Sequence, residues 1–352
     1  MRRAPSPEAV DPGRLLEVID KFSGVRVAVF GDLIVDEFIY GEIARVSREA
    51  PVLILNYDST AIVPGGAGNA ASNVAALGGA ALAIGVTGQD DPGRRLMEAM
   101  RGHIRHIDVR GVVRPRGMRT PTKTRILAGG IHSAKQQVVR IDRASGPVLT
   151  DADRRAVAAK LAAAAAKCDA LLVSDYGSGM VTPALVAEAQ KTLRRRGTGK
   201  SAGRPPVLVD SRYALLRFRG MTTCTPNESE VEQLLGIRIG DNSRLLEKAG
   251  REILKRTRAS AVLVTRGSRG MALFENGQPT THMPIFGSDQ IADVTGAGDT
   301  VIATMTLALA TGATALEAAR LANYAGGLVV MKRGTATITA EELSQAVLSD
   351  ID

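Results

Sequence analysis

The 352-residue sequence has no tryptophan, and its six phenylalanines and five tyrosines bring the aromatic share to only 3%. Proteins that hold single-stranded nucleic acid stack bases on aromatic faces, so this chain lacks the material for such a platform. Cysteine is scarcer still: Cys168 and Cys224 stand far apart, with neither the density of a disulfide framework nor metal-ligand spacing. That usage suits a reducing, cytoplasmic setting. Nowhere do 18 uninterrupted apolar residues occur, which excludes an ordinary membrane-spanning helix. The opening MRRAPSPEAVDPG has two arginines but no apolar stretch before the charged segment 17–21, and does not read as a secretory signal.

Negative charge is in deficit, 36 acidic against 45 basic residues, for a net charge of +9. A field of that sign attracts nucleic acid, a membrane surface or an anionic small molecule alike. The basic residues are scattered, and only Arg194, Arg195 and Arg196 cluster. Such scatter reads as a solvated basic surface or as attraction for a small anion; no nucleic-acid or membrane partner is expected.

What is present is ordinary for a folded chain, with 45% apolar and 23% charged residues. The length allows one large α/β domain or two smaller ones. Short runs rich in Val, Ile and Leu at 25–32, 81–88, 170–176, 206–211 and 260–267 read as strands buried on both faces, hence parallel. Helical patterns lie between them at 67–78, 150–168, 182–196 and 243–258, with Thr150 and Thr182 as N-caps. The alternation predicts a parallel sheet covered by helices on both faces, with ligands at the carboxyl ends of its strands. Segments 37–62 and 108–143 break the pattern. Both are β-branched and glycine-punctuated, which predicts antiparallel strands and hairpins in a small separate sheet placed as a lid. Residues 1–20 are expected to form an N-terminal extension, 21–352 a single domain, and the remaining chain to be helical to its end.

The most informative segment is DVTGAGDTVIATMTLALATG, residues 293–312. Its Gly296, Ala297, Gly298 turn opens an apolar helix whose first N–H groups lack internal partners and point at any anion placed there. Charge spreading over a phosphoryl group in transfer is stabilised by fixed donors of that kind. Asp299 follows within the first turn, where a carboxylate can take the proton of an attacking hydroxyl. Alone, the tetrapeptide could equally be a glycine turn with an acid favourable to the helix dipole.

DVTGAGD before an apolar helix resembles the C-terminal signature of the ribokinase or PfkB carbohydrate kinase family. PGGAGNAASNVAALGG at 64–79 resembles the same family's N-terminal, glycine-rich sugar segment. The two stand in the family's order and lie more than 200 residues apart. The resemblance implies a three-layer αβα ribokinase-like fold with a mainly parallel central sheet and a small β-sheet lid. It implies that Gly65, Gly66 and Asn69 bind substrate hydroxyls, with Asp32, Asp36 and Asp175 as further substrate-side residues. CTPNESEVEQLLG at 224–236 matches the family's Asn-x-x-Glu element, so that Asn227, Glu228, Ser229 and Glu230 border the nucleotide, Asn227 and Glu230 ordering Mg²⁺ through water. The same pair has capping-box spacing, and both readings can hold together. TRGSRGMALF at 265–274 resembles the Thr-x-Gly-x-x-Gly element, placing Thr265, Gly267 and Gly270, with Asn323, beside ATP. Asp293, Thr295 and the backbone at 333–337 are implied holders of a monovalent cation, K⁺ being the candidate.

Within the family the chain is most similar to the D-glycero-D-manno-heptose 7-phosphate kinases, through segments 31–54, 122–128, 136–142, 173–179 and 227–230. These transfer the γ-phosphate of ATP to O1, for ADP-heptose and lipopolysaccharide-core precursor synthesis. Lys123, Arg125 and Arg140 are the candidates for the substrate phosphate; solvated charge on a two-sided ribbon is their alternative. Ser178 stands where those kinases usually carry lysine, Ser211 and Arg212 where they carry Pro-Lys, and Arg48 where proline is common. Homodimerisation through the lid and a separate nucleotidyltransferase are the expected partnerships. Two look-alikes carry no weight: GTGKS at 197–201 lacks the earlier glycine of a phosphate loop and follows a helix, and His103 with His106 reads as a surface pair and not as zinc ligands.

Overall fold

The structure is a computed structural model and describes residues 10–350 except 103–105, 130–134, 145–148, 197–203, 288–292 and 333. The GTGKS segment and His103 therefore lie outside the described residues. The chain enters through α1 (Pro12–Asp20), capped by the Asp11 carboxylate, which accepts the N–H groups of Gly13 and Arg14. Leu15, Val18 and Ile19 of α1 are buried in the main core, and the helix packs on the C-terminal helix Ala340–Ser349. The segment before residue 21 thus contributes a packed helix and is not merely an extension.

After α1 come β1 (Arg26–Gly31), the long hairpin β2 (Leu33–Val46) and β3 (Leu53–Gly66), α2 (Ala67–Ala76), β4 (Ala80–Val86), α3 (Asp91–Gly102) and β5 (Ile107–Val113). Next are β6 (Thr122–Gly129), β7 (Gln136–Arg143), α4 (Asp151–Ala165), β8 (Ala170–Asp175), α5 (Pro183–Arg196), β9 (Val207–Ser211) and β10 (Thr223–Cys224). The chain finishes with α6 (Glu228–Leu235), α7 (Ser243–Thr257), β11 (Ala261–Thr265), β12 (Met271–Glu275), β13 (Thr281–Met283), α8 (Ala297–Ala310), α9 (Ala315–Val330) and α10 (Ala340–Ser349).

Nine strands form the main sheet in the order β13-β12-β11-β10-β9-β8-β1-β4-β5, and four form a second sheet in the order β3-β2-β6-β7. All main-sheet pairings are parallel except β11 with β12 and β12 with β13. In β1, Val27 and Val29 point into one apolar cluster, with α1, α2, α3, α8, α9 and α10. Ala28 and Phe30 point into the other, with α4, α5 and α7. The two-residue alternation of a strand fills both layers, which is why the run is apolar throughout.

Three expectations need correction. Residues 108–113 fall in the segment read as lid, but they belong to β5, which pairs in parallel with β4 at the main-sheet edge. The lid is not wholly antiparallel, because β2 pairs in parallel with β6. Segment 271–283 is not helical; it forms two antiparallel strands that extend the sheet beyond β11.

Candidate active site

Two helix starts face each other where β1, β8 and β9 end. Gly66 precedes α2 at φ 56°, and a Cβ there would lie 2.4 Å from the Asp32 carbonyl oxygen. Gly296 precedes α8 at φ 81°, and a Cβ there would lie 2.6 Å from the Asn69 amide nitrogen. Both positions are left-handed and crowded, so only glycine lets the two helices begin this close together. Asn69 Nδ2 donates to Asp299 Oδ2 at 2.8 Å, Asn73 Nδ2 to Asn69 Oδ1 at 3.1 Å, and Thr300 Oγ1 to Asn73 Oδ1 at 2.8 Å. This buried chain of bonds locks α2 to α8 and aims the Asp299 carboxylate.

The Ala297 N–H is taken by the Val294 carbonyl at 3.3 Å. The N–H groups of Gly298 and Asp299, unpaired within the helix by position, remain beside a cavity of about 460 Å³ that both residues line. Asp299 is only 3% exposed. Burial pushes its pKa up to about 7, with Asp36 adding to the rise and the Asn69 bond, Lys123 and the Tyr176 bond opposing it. A carboxyl group balanced near neutrality suits proton abstraction.

On the lid side, Asp36 is buried and paired with Arg125 at 2.5 Å, also buried. A Cβ on Gly65 would fall 2.4 Å from the Asp36 carboxylate, so the hairpin end approaches that ion pair closely. Asp32 accepts the N–H groups of Tyr176 at 2.8 Å and Ser178 at 3.2 Å, and the Ser178 hydroxyl. Burial raises its pKa against those bonds. Asp175 accepts Gly177 N–H and the Ser211 hydroxyl at 3.0 and 2.7 Å, fixing the ends of β8 and β9. Arg140 is turned toward Asp142 at 2.6 Å on the exposed strand β7. Lys123 instead lies over the Tyr176 ring, 4.8 Å from its centre.

The nucleotide-side candidates line the same cavity as Asp299: Asn227, Glu230, Thr265, Gly267, Gly270 and Asn323. Asn227 and Glu230 close the expected capping box at the start of α6. Gly270 is required because a Cβ would meet the Met283 carbonyl at 2.0 Å. Two residues point elsewhere. Glu228 is held by Arg266 at 2.7 Å and by Arg269, and Ser229 is exposed, donating to Asn227 Oδ1 at 2.7 Å. Asp293 accepts Thr295 N–H at 2.9 Å and Gly334 N–H at 3.1 Å, drawing two loops together beside α8.

Four polar or charged cavity-lining residues were not singled out from the sequence as site candidates: Tyr176, Asp210, Arg212 and Thr225. Tyr176 and Arg212 follow β8 and β9 directly, so the rule that ligands collect at carboxyl ends was the available signal. Asp210 has its pKa raised well above the usual range by burial and by the nearby Glu230 and Asp299 carboxylates. Thr225 Oγ1 is buried without a hydrogen-bond partner among the described residues. An acid pair beside an unmatched hydroxyl is an all-oxygen wall of the kind a hard cation takes.

Residues 26–342 match the family model described as pfkB family carbohydrate kinase. The bifunctional protein HldE of Geobacter sulfurreducens is 39% identical over 322 residues, covering 91% of this chain and 62% of that protein. The HldE of Caulobacter vibrioides is likewise 39% identical, covering 93% and 64%. The chain thus spans less than two-thirds of these relatives. Among solved structures, ribokinase of Arabidopsis thaliana with ribose and ATP superposes at TM-score 0.67 and 19% identity over 92% of this chain and 98% of that one. Phosphofructokinase-2 of Escherichia coli, solved with substrates and products, superposes at TM-score 0.71 and 20% identity over 92% and 98%. At such identities these structures establish a shared fold.

Proposed function

The chain belongs to the pfkB family of carbohydrate kinases, phosphotransferases with an alcohol acceptor, and from that premise we propose that it phosphorylates O1 of D-glycero-D-manno-heptose 7-phosphate at the expense of ATP. The observation that carries the reading is the Asp299 carboxylate, bonded to Asn69 on the glycine-rich sugar segment and lining the cavity that Asn227, Glu230 and Thr265 share. Sugar side and nucleotide side meet at one carboxyl group.

In this mechanism Asp36, Asn69 and the backbone at Gly65 and Gly66 hold the sugar hydroxyls. Asp299 takes the proton from O1 as it attacks the γ-phosphorus, and the amides of Gly298 and Asp299 stabilise the charge on the moving phosphoryl oxygens. Kinases of this family use ATP with Mg²⁺, an ion that neutralises phosphate charge when bound. Asn227 and Glu230, with Asp210 and the unmatched Thr225 hydroxyl, fit it. The loops joined by Asp293 and Thr295 would hold a monovalent cation, since Thr335 Oγ1 is buried there without a partner among the described residues. E. coli phosphofructokinase-2 has been solved in complex with potassium.

The choice of a phosphorylated heptose is supported by the HldE relatives and by the basic residues Lys123, Arg125 and Arg140 at the lid. Arg125 and Arg140 are in ion pairs, and Lys123 is the member of that set without one among the described residues. A coupled ADP-release assay over free and phosphorylated sugars tests the reading. Turnover driven by heptose 7-phosphate, and not by ribose or fructose, is expected; preference for an unphosphorylated sugar would assign the chain another pfkB substrate.

A further inference from the structure

Three elements converge on Tyr176. Its hydroxyl lies 3.5 Å from Asp299 Oδ1 at the start of α8. Lys123 Nζ of the lid strand β6 is 4.8 Å from the ring centre, and the guanidinium carbon of Arg212, just past β9, is 5.9 Å from it. One side chain thus touches the base, the lid and the cavity wall. We propose that Tyr176 is the positioning residue of the transfer step: its hydroxyl sets the Asp299 carboxylate toward the acceptor oxygen, and its ring holds Lys123 and Arg212 together as the cationic pair that meets the transferring phosphoryl group. This rests on Asp299 acting as the base.

The charges favour the arrangement. Arg125 and Arg140 are taken up by Asp36 and Asp142, whereas Lys123 and Arg212 make no ion pair among the described residues. Left to themselves the two would repel. The Lys123 ammonium is held below its usual range by burial first, and by Arg140 and Arg212. An electron-rich ring face attracts both cations and tolerates their proximity, so an incoming anion finds them already gathered. Tyr176 remains a hydroxyl donor throughout, because the Asp299 charge and burial push its own pKa well above normal. At 3.5 Å the bond is a long one, and hydrogen bonds between catalytic groups shorten as the reacting groups are brought together.

Steady-state kinetics of Tyr176→Phe between pH 5 and 9 test the hydroxyl. The groups acting on Asp299 are Asp36 from β2, Lys123 from β6, Tyr176, Asp210 from β9 and the neutral Asn69. Removing the hydroxyl takes away one that favours the charged carboxylate, so the acid limb of kcat/KM should move up by about half a pH unit. With it, kcat should fall roughly five- to tenfold. An unmoved acid limb, whether kcat falls or not, overturns the hydroxyl's role. A double-mutant cycle tests the ring: Arg212→Met should cost several-fold less in a Tyr176→Leu background than alone, and additive losses would overturn the pairing. Asp299→Asn separates the layers. If it turns over normally, the base assignment itself is at fault; if it is inactive while Tyr176→Phe keeps the wild-type profile, only the inference about Tyr176 falls.

Discussion

Asp299 is the residue at which stability and function pull apart. Its pKa is raised from 3.8 to about 7, chiefly by burial, so the folded protein binds that proton more tightly than the unfolded chain does. The group therefore supports the fold fully below about pH 4, and that support is lost as the pH climbs through about 7. Asp299→Asn is neutral at every pH and keeps an oxygen and an amide for Asn69. It should melt a few degrees above the wild type at pH 8, with the difference gone near pH 4; equal melting curves at pH 8 would contradict the burial argument. At this scale the sequence was legible wherever function needs a run of residues. The turn Gly296 to Asp299 and the Gly65, Gly66, Asn69 segment each stand out as a motif, and the fold brings Asn69 and Asp299 into contact. Tyr176, Arg212 and Thr225 directly follow β8, β9 and β10, and Asp210 lies within β9; a polar residue at the end of a strand looks the same whether it lines a cavity or ends an edge.

The lid shows where reading by element succeeds and stops. Glycine-punctuated, β-branched composition marked two strand-rich segments, and β2, β3, β6 and β7 do form a separate sheet. The same composition describes β5, which joins the main sheet instead, because partner choice depends on contacts distant in sequence that local pattern does not encode. All eight residues of β7 are exposed, and Ile43, Val46, Val52, Leu53, Val138, Val139 and Ile141 leave an apolar surface across the sheet. An open strand edge beside exposed apolar side chains invites pairing, and we propose that a second copy of the chain covers it. Sedimentation should show a dimer for the wild type and a monomer for Val139→Glu; a monomeric wild type would rule out the lid as an interface.

At the scale of the whole molecule, the fold brings together segments that the chain keeps far apart. Asn69 and Asp299 are 230 residues apart and bonded, an arrangement the parallel sheet creates by ending β1, β8 and β9 side by side. Alternating apolar runs and helical patterns made that layering readable in advance. The two-sided alternation of β1, with Val27 and Val29 in one core and Ala28 and Phe30 in the other, is why. The excess of positive charge gains a local meaning where Lys123, Arg140 and Arg212 meet at the lid's base, close enough to shift the Lys123 ammonium. In the mechanism proposed, the buried Asp299 carboxylate, between the sugar segment and the nucleotide cavity, drives phosphoryl transfer. Single-turnover transfer of labelled γ-phosphate to the sugar, followed from pH 5 to 9, tests it most directly. The wild-type rate should rise to a plateau above about pH 7, and Asp299→Asn should bind nucleotide yet transfer roughly 10²–10⁴-fold more slowly on that plateau, with the gap narrowing toward pH 5. Transfer by Asp299→Asn at the wild-type rate would contradict it.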